Sequence, residues 1–131
     1  MNTKIAYFVD DDEDFLALIQ STIQHPHFTI QTTVTENGYH AIDGIIQAKP
    51  DVIFMDFYMP KANGSQILPI LRCVDTLSHT PIYLISGFPK EDILLFLQQA
   101  GVRANGILIK DSTLKSEIQR ILDELDCIPA F

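Results

Sequence analysis

Short apolar runs alternate five times with longer stretches of helical period, and few folds accept that order. The runs are 4–9, 29–34, 51–56, 82–86 and 106–110; the helical stretches lie near 13–25, 38–48, 64–75, 90–100 and 113–125. Strict β/α alternation implies parallel strands joined by right-handed crossovers. Runs one, three, four and five are apolar almost throughout, as strands are when helices cover both faces of a sheet. The second, Phe28-Thr29-Ile30-Gln31-Thr32-Thr33-Val34, is more polar and alternating, which suits an edge. The expected fold is therefore α/β, a doubly wound sheet of five parallel strands with five helices.

Helical spacing and end signals support the same order. Phe15, Leu18, Ile19, Thr22 and Ile23 recur at three-and-four spacing and predict the buried face of the first helix. Leu114, Ile118, Ile121, Leu122 and Leu125 do the same for the last. Asp11 or Asp12 is suited to cap the first helix, whose first turn is acidic. Gly38 and Gly64 open the second and third helices, Pro89 fits the first turn of the fourth, and Gly101 follows its end as a left-handed cap. Pro69, early in the third, is a point where that helix can kink.

At 131 residues the chain makes one domain, 1–126, with a short tail, 127–131. Its 47% apolar and 20% charged residues are those of a globular protein. No apolar stretch reaches membrane-spanning length, and Met1-Asn2-Thr3-Lys4 lacks the layout of a signal peptide, so a cytoplasmic location is expected. A net charge of −8 with no Lys/Arg stripe speaks against nucleic acid and anionic membranes as partners. Cys73, in an apolar helical context, is expected to be a packed thiol, unpaired with Cys127. His25-Pro26-His27 marks a helix end. A metal site there needs further ligands, and none stands at suitable spacing.

Polar residues end the apolar runs. Asp10 and Asp11 close the first, Asp56 the third, Ser86-Gly87 the fourth and Lys110 the fifth. In a doubly wound sheet the carboxyl ends of the strands share one edge, where function sits. Two carboxylates about 4 Å apart there repel by roughly 4 kcal/mol at an effective dielectric near 20. A fold keeps such a cluster chiefly for a cation or a reaction. The pattern points to a divalent metal beside a reactive carboxylate.

Val9-Asp10-Asp11, Asp56-Phe57-Tyr58-Met59-Pro60 with Gly64, Ser86-Gly87 and Lys110, in that order, resemble the receiver domain of two-component response regulators of the stand-alone type. The resemblance spans nearly the whole chain and implies the flavodoxin-like strand order 2-1-3-4-5. It implies that Asp56 is the phosphoacceptor, helped by Ser86, Lys110 and the Gly87 amide. It implies Mg²⁺ held by Asp10, Asp11, Asp56 and the Tyr58 carbonyl, with Asp11 the more direct ligand. The implied donor is a histidine kinase or phosphotransfer protein. Output is implied through a protein target or self-dimer on the face of the fourth helix, fifth strand and fifth helix. Such a domain is no enzyme beyond assisting its own phosphorylation and dephosphorylation.

Two positions depart from the family. Ile107 stands where an aromatic ring usually moves with the switch, and Asp111 follows Lys110 where proline, often cis, is usual. Asp111 is instead suited to a trans bond and to capping the last helix. Tyr58 and Phe88, two residues beyond Asp56 and Ser86, flank the path of a hydrolytic water in the family. Two other functions compete with this reading: a phosphorylation-independent scaffold, and a haloacid-dehalogenase-type phosphatase with Asp10 as nucleophile. The second leaves Asp56 without a role and lacks an acidic pair after Lys110.

Overall fold

The computed structural model describes residues 3–127; the expected tail residues Ile128-Pro129-Ala130-Phe131, and Met1-Asn2, lie outside them. Strands β1 (Lys4–Asp10), β2 (Phe28–Val34), β3 (Val52–Asp56), β4 (Ile82–Ser86) and β5 (Gly106–Ile109) alternate with helices α1 (Glu13–Thr22), α2 (Ile42–Ala48), α3 (Gly64–Cys73), α4 (Lys90–Ala100) and α5 (Leu114–Asp126). All pairings are parallel and the order is β2-β1-β3-β4-β5. Fold class and strand order are those expected, and the polar β2 is an edge strand.

Side chains along the inner strands alternate between two cores. Tyr7, Val9, Ile53, Met55 and Leu84 join α2, α3 and α4 on one face; Ala6, Phe8, Phe54, Ile85 and Leu108 join α1 and α5 on the other. On the second face Phe8 stacks on Phe54 at 4.7 Å between ring centroids, and Phe54 on Tyr83 at 5.6 Å. These rings span three strands and fix their register. The same alternation explains why β1, β3, β4 and β5 read as nearly continuous apolar runs.

Local signals set the ends. Asp12 caps α1, its carboxylate accepting the Phe15 N–H, and Gly101 takes the left-handed cap of α4 at φ 66°. Asn63 and Gln66 form a reciprocal capping box on α3. A Cβ on Gly64 would stand 3.3 Å from the Phe57 Cα, so the smallest residue lets the chain close on itself just after Asp56. Helix α3 runs through Pro69.

Several expectations need correction. The core face of α1 is Leu16 and Ile19, continued by Ile23 just past its end, whereas Leu18 is 57% exposed. Helix α1 stops at Thr22, the second helix begins with a 3₁₀ turn over Gly38–Ala41, and Asp75–Leu77 forms another such turn after α3. Pro89 stands one residue ahead of α4, at its cap. Cys73 is exposed rather than packed, because it follows the buried Leu71 by two positions, on the far side of the helix. Asp111 acts before the last helix rather than as its cap: its Oδ1 accepts the Thr113 N–H at 2.9 Å, and Thr113 takes the cap position.

Candidate functional site

Parallel pairing carries the polar strand ends to one edge. Val9 pairs with Met55, which brings the next residues, Asp10 and Asp56, level; Asp56 pairs with Ile85 and Ser86 with Ile109. The Lys110 N–H donates to the Ser86 carbonyl at 2.8 Å and closes the last gap. One ligand oxygen from each of Asp10, Asp11 and Asp56 lies within 4.8 Å of the others.

Asp10 and Asp56 are buried, with Ser86 beside them in the same rim, and Asp11 is partly exposed. Asp10 Oδ1 accepts the Asp12 N–H at 2.9 Å, and Asp56 Oδ1 the Tyr58 N–H at 3.3 Å. The Lys110 ammonium stands 2.9 Å from Asp10 Oδ2 and 3.8 Å from Asp56 Oδ2. The first contact is short but misaligned, so Asp10 Oδ2 is buried without a hydrogen bond. The ammonium compensates its charge, but it is shared with a second buried carboxylate.

Burial pushes the Asp56 carboxyl up to about 8; the Asp10 charge adds to the rise and the Lys110 charge opposes it. Asp10 is raised as well, chiefly by burial, against the pull of Lys110. Lys110 is raised because the attraction of Asp10 and Asp56 outweighs its own burial. One ammonium thus serves three carboxylates. The residual negative charge, the unfilled Asp10 oxygen and the all-oxygen donor set fit a hard divalent cation.

Ser86 Oγ accepts the Phe88 N–H at 2.8 Å, which leaves its hydroxyl proton to be donated elsewhere. Gly87 is exposed, with open space where a Cβ would stand. Tyr58 and Phe88 are about half exposed and meet edge to face, ring centroids 5.7 Å apart, at the rim between Asp56 and Ser86.

Two contributors escaped the sequence reading. The ring of Phe15 lies 4.5 Å from the Lys110 ammonium, a cation–π contact worth about 0.5–2 kcal/mol. Helical spacing assigned that ring to the core. The other is Asp126, which α5 brings to His25 and His27, so the missing ligand at that helix end does exist among the described residues. A last-turn carboxylate on a distant helix leaves no local signal.

The family described as the response regulator receiver domain matches residues 6–122. The chemotaxis protein CheY of Pseudomonas aeruginosa is 27% identical over 121 residues, covering 90% of this chain and 95% of that protein. The polar-differentiation response regulator DivK of Brucella anthropi is 28% identical over 101 residues, covering 77% and 80%. In structure, the phosphorylated cyanobacterial phytochrome response regulator RcpA superposes with a TM-score of 0.78 at 20% identity, covering 98% and 97%. With the whole doubly wound core inside the matched span, this chain belongs to the response regulator receiver domain family.

Proposed function

We propose that the chain is a phosphoacceptor response regulator that takes a phosphoryl group from a histidine kinase or phosphotransfer protein onto Asp56. The observation that carries this reading is the buried carboxylate pair, Asp10 and Asp56, facing a single lysine. An Asp56 oxygen attacks phosphorus as the bond to the donor nitrogen breaks, and the donor keeps that electron pair. Mg²⁺ suits the donor set of Asp10, Asp11, Asp56 and the Tyr58 carbonyl, and when bound would neutralise charge between carboxylate and phosphoryl oxygens. Lys110 turns from Asp10 to a phosphoryl oxygen, a short move because it already stands between both acids. The Ser86 hydroxyl and the Gly87 amide donate to the others. Related folds support the cation: one solved neighbour is the Mn²⁺-bound form of Rcp1, and another is TrrA of Thermotoga maritima with Mg²⁺ and beryllofluoride.

Thermal melting with Mg²⁺ and beryllofluoride, a mimic of aspartyl phosphate, tests the site. At a hundred times the dissociation constant, binding to the native state adds about 2.7 kcal/mol. The melting temperature of the wild type should rise by about 10 °C, taking about 4 °C per kcal/mol for a chain of this size. Asp56→Asn should show no such rise. Equal shifts in both proteins would place the ligand elsewhere.

Ile107 is buried in the core beside α4, where it cannot reproduce the travel of an aromatic hydroxyl. Output therefore rests on the surface of α4, β5 and α5 rather than on such a ring. Leu94, Leu95 and Phe96 of α4 are exposed apolar residues and suit a protein partner. The Tyr58–Phe88 pair shields the acyl phosphate from water, so Tyr58→Asn should shorten its half-life several-fold. Equal decay of the two phosphorylated proteins would remove that role.

A further inference from the structure

A second cluster of metal-ligating side chains lies at the other end of the sheet. Asp10 ends the seven-residue β1 and Lys4 begins it, so the two sites are about 20 Å apart at roughly 3.3 Å per residue. The turn between α1 and β2 carries His25 and His27, and the last turn of α5 carries Asp123 and Asp126. One ligand atom from each of His25, His27 and Asp126 lies within 4.8 Å of the others.

The hydrogen bonds fix the tautomer and orientation of the His25 ring and tie the cluster together. The His25 side chain is only 6% exposed, and its ring stands edge-on to Phe28 at 5.2 Å. Its Nδ1 accepts the backbone N–H of His27 at 3.1 Å, so that nitrogen carries the lone pair and Nε2 carries the proton. Nε2–H then donates to Asp123 Oδ1, 3.1 Å away. A carboxylate on the far nitrogen of an imidazole is the arrangement that orients a histidine towards a metal and raises its basicity. His27 Nδ1–H donates to Asp126 Oδ2 at 2.7 Å, so this ring ligates through Nε2 after turning, or through Nδ1 once that proton leaves; the other oxygen, Oδ1, is 3.3 Å from the Lys4 ammonium. Asp126 therefore offers one oxygen to the cluster.

We propose that His25 Nδ1, His27 and Asp126 form a site for a first-row transition-metal ion of the Zn²⁺ class. Two imidazoles and a carboxylate are the donor set of such ions, whereas Mg²⁺ takes oxygen. Ligands about 2.1 Å from an ion stand about 3.4 Å apart in a tetrahedron, so the group must draw in. The half-exposed His27 side chain is free to make that movement, and water replaces His25 as acceptor of its backbone N–H. Three protein ligands leave a fourth position for water. Lys4 places a positive charge beside the site and holds its affinity below that of a closed structural zinc site. A bound ion would staple the α1–β2 turn to the last turn of α5, leaving the phosphoacceptor pocket untouched.

The test is calorimetric titration of the full chain with Zn²⁺ in excess Mg²⁺, so that the acidic pocket is already filled. One equivalent should bind to the wild type and none to His27→Ala. Asp123→Asn should bind about 10- to 100-fold more weakly. His27 and Asp123 are solvent-facing, so both variants should fold; uptake of phosphoryl groups from acetyl phosphate checks this. Co²⁺ should give the visible absorption of nitrogen and oxygen ligands. A thiolate charge-transfer band would move the ion to a cysteine and overturn the assignment. Undiminished Zn²⁺ binding in His27→Ala, or no binding by the wild type, would also overturn it.

Discussion

In metal-free buffer above pH 8, Asp56→Asn should melt higher than the wild type, by roughly 1–3 kcal/mol of stability or about 4–12 °C. The cause is the cost of charging a buried carboxyl beside another. Asp56 is 5% exposed, and burial, with the Asp10 charge behind it, pushes its pKa up to about 8. An aspartate in the unfolded chain titrates near pH 3.9, roughly four units lower. Between those values the folded protein binds the extra proton, so stability falls as pH rises through the window from about 4 to about 8. The raised Asp10 acts in the same direction. Asparagine cannot ionise, yet keeps an oxygen for the Tyr58 N–H that Asp56 Oδ1 now accepts. The advantage of the variant should thus be small near pH 4–5, grow towards pH 8 and level off above it. Saturating Mg²⁺ should shrink it, because a cation that needs the carboxylates ionised stabilises the wild type more. Melting curves for both proteins across this range, with chelator, check the expectation; a difference independent of pH would show that Asp56 is not held protonated by its surroundings.

The fold was legible because its signals are local and repeated. Each inner strand is an apolar run ended by a polar residue, and in a parallel sheet all such ends meet on one edge. That is why Asp10, Asp11, Asp56, Ser86 and Lys110 could be grouped from spacing and then found together. What remained hidden depends on tertiary contacts. Helix α1 carries apolar residues at 15, 16, 18 and 19, so two overlapping stripes satisfy the helical period; packing on β1 and α5 selects Leu16 and leaves Leu18 outside. Phe15 sits over Lys110 because α1 starts beside the end of β5, which no spacing within α1 reveals. His27 meets Asp126 across 99 residues of chain, again through strand order alone. Helix ends shifted where tight turns took over, at Gly38–Ala41 and Asp75–Leu77, since 3₁₀ and α segments share the same capping residues.

The largest effect expected of any substitution is loss of the covalent reaction. On the proposed reading, Lys110 and a bound cation lower the barrier to phosphoryl transfer, and only a carboxylate oxygen at position 56 forms the acyl phosphate. Asp10 is no substitute, because it is almost fully buried against Lys110. Asp11, on the loop after β1, stands further out. The decisive measurement is the intact mass of wild type and Asp56→Asn after incubation with acetyl phosphate and Mg²⁺. The wild type should gain one phosphoryl group, the gain should vanish with chelator, and the variant should stay at its starting mass. Equal phosphoryl uptake by Asp56→Asn, or none by the wild type, would contradict the assignment of Asp56 as acceptor.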